Sequence, residues 1–251
     1  MNRKIGIFDS GLGGLSILKE LLKVLQNEDY LFYEDSINNP YGEKNDEELF
    51  SITCDIVDYL LKENCKIIVI ACNTATTSCM KKLREKYKDV IFVGTVPAIK
   101  MAYDENMKNT LLLATDYTIK SERVKELLHD YTGKNQKIYV ESGKNLASLI
   151  ELGDNAQIRK LLENILTPYK DKIDSIILGC THYPLAKSII EEILPNVKIL
   201  DGSYGVSKEV KRKLEDNKML STNQVGSIKI INSKSLELID RSFEILKNVV
   251  K

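Results

Sequence analysis

Short apolar runs rich in β-branched residues alternate with helix-period patterns along the whole of this chain, and that alternation admits few folds. Such runs read as strands buried on both faces, the mark of a parallel sheet covered by helices. The spacing predicts strands near residues 4–8, 30–34, 66–71, 90–94, 110–114, 136–140, 174–179, 197–200 and 227–231. Helical patterns fill most of the gaps; Leu15, Leu18, Leu21, Leu22 and Leu25 make one apolar stripe. Two of the runs end alike. One reads Lys66-Ile-Ile-Val-Ile-Ala-Cys72-Asn73-Thr74 and the other Ser175-Ile-Ile-Leu-Gly-Cys180-Thr181-His182. In open α/β sheets the edge beyond the carboxyl ends of the strands is where ligands bind. Two thiols delivered there by two halves of one chain read as an acid–base pair with a substrate between them.

A weak internal repeat of about half the chain accompanies the cysteine strands. Ile5-Gly-Ile-Phe-Asp9-Ser10-Gly11 parallels Leu111-Leu-Leu-Ala-Thr115-Asp116. The expected architecture is two similar α/β units whose parallel sheets face each other across a central cleft. Residues 1–94 with 207–251 would form the first, carrying Asp9 and Cys72; residues 95–206 would form the second, carrying Cys180 and His182. The late run Val225-Gly-Ser-Ile-Lys-Ile-Ile-Asn is the strand that returns the chain to the first unit.

Composition excludes several classes of function. Lys+Arg and Asp+Glu both number 36, so no global field argues for nucleic acid or an anionic membrane. No apolar run approaches the roughly 20 residues that span a bilayer. Met1-Asn2-Arg3-Lys4 leads into the first strand, not into a signal peptide's apolar segment, and no N-terminal extension on which regulation could rest is expected. Five widely spaced cysteines, an odd number, suit a reducing compartment. The expected location is the cytoplasm.

The turn Gly11-Leu-Gly13-Gly14 resembles the start of a dinucleotide fingerprint, but Ser16 holds the third glycine position and only Glu34 or Asp35 could serve as the ribose acid. The turn does expose Asp9 and Ser10 at a strand tip, with backbone N–H groups suited to a carboxylate as well as a phosphate. Among the cysteines, Cys54 reads as a core residue of a helix over 46–62, Cys65 precedes a strand without polar company, and Cys79 packs on the helix after Cys72. No metal site is expected: the chain has no Cys-x-x-Cys pair, and its only histidines are His129, read as a surface or helix-end residue, and His182. Cys72 and Cys180 stand apart because amide, hydroxyl and imidazole groups crowd them.

At five places the sequence resembles the signature blocks of the glutamate racemase family. These are Asp9-Ser10-Gly11-Leu12-Gly13-Gly14, Asn39-Pro40-Tyr41-Gly42-Glu43-Lys44, Ala71-Cys72-Asn73-Thr74-Ala75, Val96-Pro97-Ala98-Ile99-Lys100 and Gly179-Cys180-Thr181-His182-Tyr183-Pro184. They occur in the family's order over most of the chain. Ala114-Thr115-Asp116-Tyr117-Thr118-Ile119-Lys120-Ser121 resembles a further segment, with Tyr117 where a glycine is common. The resemblance implies a cofactor-independent racemase that interconverts L- and D-glutamate and supplies D-glutamate for bacterial peptidoglycan. It implies that Cys72 takes the proton from D-glutamate and Cys180 from L-glutamate, with Asp9 and His182 as helpers. Glu151 matches a glutamate of the family, although the approach Gly143-Lys-Asn-Leu-Ala-Ser-Leu-Ile departs from the usual Cys-Pro-containing stretch. A solvated carboxylate at a helix end is the other reading of Glu151. Asn45, where the family often has serine, reads as a helix cap.

No Arg or Lys lies within the cysteine or Asp-Ser motifs, so a glutamate would be held by backbone N–H groups and hydroxyls at helix starts. The expected binding residues are Asp9, Ser10, Pro40, Tyr41, Gly42, Asn73, Thr74, Thr118, Thr181 and His182, with simple N-capping the alternative for the hydroxyl residues. Glutamate is the one expected partner besides a second copy of the chain in a homodimer; nucleic acid and membrane are not expected. An aspartate racemase of the same superfamily is the runner-up, and Thr181-His182-Tyr183-Pro184 argues against it. Two other classes are a non-catalytic small-molecule binder and a thiol redox switch. The switch needs the cysteine Cα atoms within about 7 Å, which a substrate between them precludes.

Overall fold

A computed structural model describes residues 3–247. The chain divides into two compact units, one running to Thr95 and resuming at Ser203, the other Val96–Gly202. In the first, β1 (Lys4–Asp9), α1 (Leu15–Val24), β2 (Tyr30–Glu34), α2 (Asp46–Lys62), β3 (Cys65–Ile70), α3 (Asn73–Lys86) and β4 (Phe92–Gly94) follow one another. The second holds α4 (Ile99–Asp104), β5 (Asn109–Ala114), α5 (Asp116–Lys120), α6 (Glu122–Asp130), β6 (Lys137–Ser142), α7 (Leu146–Leu152), α8 (Asn155–Leu166), β7 (Ser175–Gly179), α9 (Lys187–Ile193) and β8 (Lys198–Asp201). Then α10 (Ser203–Asp216), β9 (Ile228–Asn232) and α11 (Leu236–Leu246) complete the first unit. The return begins at Ser203, ahead of residue 207, because the whole of α10 belongs with α1 and β4, against which it packs.

All neighbouring strands are parallel. The first sheet has the order β4-β3-β1-β2-β9 and the second β6-β5-β7-β8. Read in reverse, the second is β8-β7-β5-β6, which is the first sheet's β4-β3-β1-β2 strand for strand. The internal repeat, faint in sequence, is therefore strict in topology: β1 corresponds to β5, β2 to β6, β3 to β7 and β4 to β8. Strand β9 is an addition beside β2. Because every strand runs the same way, the carboxyl ends within each sheet share one edge.

Central strands are apolar on both faces, as parallel packing requires. Ile67, Ile68, Val69 and Ile70 of β3 and Leu111, Leu112 and Leu113 of β5 are wholly buried. In the second unit Leu111, Leu113 and Leu178 face the α7–α8–α9 side, while Leu112 and Ile177 face the α4–α6 side. Helix α2 starts where Asn45 accepts hydrogen bonds from the Glu47 and Glu48 N–H groups at 3.1 and 2.9 Å, as expected of a cap. Removing that acceptor in Asn45→Ala is expected to cost about 1 kcal/mol, read as a lower urea midpoint. An unchanged midpoint would show that water caps α2 equally well. Among the described residues no helix is long and apolar enough to cross a membrane.

Candidate active site

The first unit gathers its candidate residues beyond the carboxyl ends of β1, β2 and β3. Asp9 ends β1 and is wholly buried. Its Oδ1 accepts from the Ser10 N–H at 2.7 Å, so the carboxylate is oriented by its own strand tip. The glycine turn closes over it: residues 12–14 form one 3-10 turn that runs directly into α1. A Cβ on Gly14 would lie 2.9 Å from Asp9 Cβ and 2.8 Å from the Phe32 ring, so glycine is required there for close packing. Cys72 is the N-cap residue of α3 and is buried, with no side-chain cap bond. Its sulfur therefore sits at the positive end of a 14-residue helix, a place that favours an anion. Asn73 and Thr74 follow in the first turn, both buried. Asn73 Oδ1 is buried without a hydrogen-bond partner among the described residues. A buried amide oxygen in that state is uncommon and is costly unless a ligand meets it.

Tyr41, in a 3-10 turn flanked by Pro40 and including Gly42, reaches the same place. Its hydroxyl donates to Asp35 Oδ2 at 2.8 Å. Burial, then Asp35, then Cys72 and Asp9 push the phenol well above its ordinary value, so Tyr41 stays a donor. Asp35 is a residue that sequence reasoning reached only as a possible ribose acid. Its carboxylate also accepts from Asn38 Nδ2 at 3.0 and 2.9 Å, and its N–H donates to the Asp9 carbonyl at 2.9 Å. Asp35 thus ties the Pro40–Gly42 turn to the Asp9 strand tip. Its position directly after a strand's carboxyl end was the available signal.

In the second unit, Cys180 follows β7 directly and is buried. Its Sγ lies 3.8 Å from His182 Nδ1, and His182 Nε2 lies 2.6 Å from Glu151 Oε1 at the end of α7. With the Nε2 proton directed at the carboxylate, Nδ1 is the nitrogen left to exchange a proton with the thiol. The imidazole is almost fully buried and Glu151 mostly so, which sets aside the reading of Glu151 as a merely solvated carboxylate. Thr181 is buried beside them. Thr118 is wholly buried after β5, its Oγ1 accepting from Thr115 Oγ1 at 2.9 Å; it is Thr115 that caps α5.

The remaining thiols are inert by environment. Cys65 opens β3 instead of preceding it, and burial pushes it up to about 12 despite nearby Lys4. Cys79 is also raised by burial, and Cys54 is buried in the core formed by α2 and α3. His129 is exposed at the end of α6, 3.1 Å from Asp130.

Two buried thiols, Cys72 and Cys180, thus lie at equivalent strand ends of a repeated α/β scaffold, each with polar company. Residues 24–203 match the model of the Asp/Glu/hydantoin racemase family, and the chain belongs to that family as an amino-acid racemase. It is 41% identical to the glutamate racemase of Clostridium perfringens (strain ATCC 13124) over 97% of each chain. Among solved structures it is similar to glutamate racemase isoform RacE1 from Bacillus anthracis, with a TM-score of 0.85 at 27% identity over 98% of this chain and 94% of that one. The Francisella tularensis glutamate racemase, solved in complex with D-glutamate, matches with a TM-score of 0.84 at 29% identity, covering 100% and 96% of the two chains.

Proposed function

We propose that this racemase interconverts L- and D-glutamate without a cofactor, by a two-base exchange at Cα. Cys72 takes the proton from D-glutamate and Cys180 takes it from L-glutamate. The observation that supports this most is the equivalence of β3 and β7: each lies beside the central strand of the same four-strand order and each delivers a buried thiol. That the similar proteins are glutamate racemases, one of them solved with D-glutamate, points the same way.

In each turnover one cysteine begins as thiolate and the other as thiol. The thiolate takes the Cα proton from one face, and the thiol gives its own proton to the carbanion from the other. A free cysteine is only a few per cent ionised at neutral pH, so the site must favour the thiolate. On one side the start of α3 serves that purpose, with Asp9 as a proton-handling helper; on the other, His182 backed by Glu151 does. Asp9 and the unmet Asn73 Oδ1 are suited to the substrate ammonium. Ser10, Thr74, Thr118, Thr181, His182 and the turn Pro40-Tyr41-Gly42 complete the set, with helix-start N–H groups holding the carboxylates. A turnover near 10 per second corresponds to a barrier of about 16 kcal/mol. In this scheme, without an electron sink, placement of both thiols and of these dipoles must bring the barrier down to that height. The product D-glutamate would serve peptidoglycan synthesis in the cytoplasm, with a homodimer as the working form.

The test is reaction in heavy water from each enantiomer separately. Deuterium is expected at Cα of the product from the first turnovers, with little in the remaining substrate, because the abstracting thiol keeps the original proton on its own face. Equal early labelling of both enantiomers, as from one base, would exclude the scheme. L-aspartate run alongside is expected to keep its optical rotation.

A further inference from the structure

Helix α7 carries Glu151 in its last turn and is fastened to the segment Cys180–Tyr183 at both ends. At its C-terminal end the fastening is the Glu151–His182 pair, 2.6 Å long. At its start the Tyr183 hydroxyl donates to the Gly143 carbonyl at 3.1 Å. That carbonyl also accepts from the N–H of Leu146, the first residue of α7, at 3.0 Å, and the Gly143 N–H donates to the Ala114 carbonyl at 2.8 Å. The phenol is wholly buried, and a Cβ on Gly143 would stand 2.2 Å from its oxygen. The missing side chain at 143 is what admits it. Helix α7 has only 7 residues and no side-chain cap at Asn145, so it has little stability of its own and takes its position from these anchors and its apolar face.

The geometry points to Tyr183 as a positioning residue: by pinning the start of α7 it sets Glu151 against His182, and so sets the proton exchange at Cys180. The competing account is that Tyr183 simply fills the core around Leu146, Ile150 and Ile190. A core-filling ring has no use for a hydroxyl, whose burial is costly unless bonded; here the bond goes to the Gly143 carbonyl, which also accepts from the first residue of the helix that carries Glu151. This inference rests on the reading of Cys180 as one of two bases.

Tyr183→Phe removes only the hydroxyl. It is expected to lower turnover about tenfold with KM little changed. The Cα deuterium isotope effect should grow for L-glutamate and shrink for D-glutamate, because only the transfer at Cys180 is slowed. In a Glu151→Gln background the same change should add less than about twofold, since both variants act through one pair. Gly143→Ala, which forces the phenol off the carbonyl, is expected to give the same asymmetric signature. Undiminished turnover, isotope effects moving together in both directions, or full additivity with Glu151→Gln would each overturn the assignment. Cys180→Ser separates the two levels. If it racemises at near the parent rate, the two-base reading falls and this inference with it; if it is inactive while Tyr183→Phe behaves symmetrically, only the inference falls.

Discussion

Cys72→Ser and Cys180→Ser are each expected to lower racemisation by about a thousandfold or more, because a serine hydroxyl is far too weak an acid to serve as the anionic base. The loss should not come from unfolding. Serine is a favoured N-cap, so at position 72 it suits the start of α3 at least as well as cysteine does. At position 180 it changes a single buried atom beside His182. Each variant keeps one base. Given a glutamate analogue with a leaving group X at Cβ, that base can still take the Cα proton while the electron pair expels X. Cys72→Ser should therefore eliminate HX from the L-analogue through Cys180, and Cys180→Ser from the D-analogue through Cys72. Thermal melts beside both assays separate chemistry from stability. Either variant racemising glutamate within tenfold of the parent would rule out the two-base scheme.

The strands were legible because burial on both faces writes a continuous apolar run. All nine expected strands are present, none displaced by more than two residues at either end. The start of β4 moved inward because the Val90 N–H closes a turn onto the Tyr87 carbonyl, so pairing begins only at Phe92. The repeat was nearly invisible by contrast. Strand order depends on which runs neighbour which, and sequence identity between the two halves had faded to a few residues. Side-chain constellations were legible only where one motif held all the members, as Cys180 and His182 show. The tie from His182 to Glu151 spans 31 positions and depends on where α7 docks. The Asp35 cluster reaches as far as Ser233, whose Oγ donates to Asp35 Oδ1 at 3.2 Å, and no local pattern announces it.

Lys66 shows the same limit most sharply, and it carries the largest expected effect on stability. In sequence it is the polar flank of the run that ends in Cys72. In the structure its ammonium lies 2.5 Å from Glu28 Oε2, the two side chains being only 5% and 2% exposed. The ammonium also donates to the Met219 carbonyl at 2.7 Å, and Glu28 Oε1 accepts from the Ser221 N–H at 2.7 Å. The pair thereby holds the segment between α10 and β9, by which the chain regains the first sheet. A buried ion pair contributes little net stability, but removing one member strands the other charge at a cost of about 3–5 kcal/mol. Lys66→Met is expected to lose that amount, moving the unfolding midpoint of the first unit down by roughly 6–20 °C. Lys23→Met, which breaks the largely exposed Lys23–Glu20 pair on α1 of the same unit, should shift it by at most a degree or two. The double variant Lys66→Met/Glu28→Met should recover much of the loss, since no charge is left buried and only the Met219 carbonyl and Ser221 N–H lose partners. Turnover of the folded enzyme should hardly change, because Lys66 lies six residues, or about 20 Å of strand, from Cys72. A Lys66→Met midpoint within two degrees of the parent, or a double variant no better than the single, would mean that water reaches Glu28 and that the pair does not anchor the return of the chain.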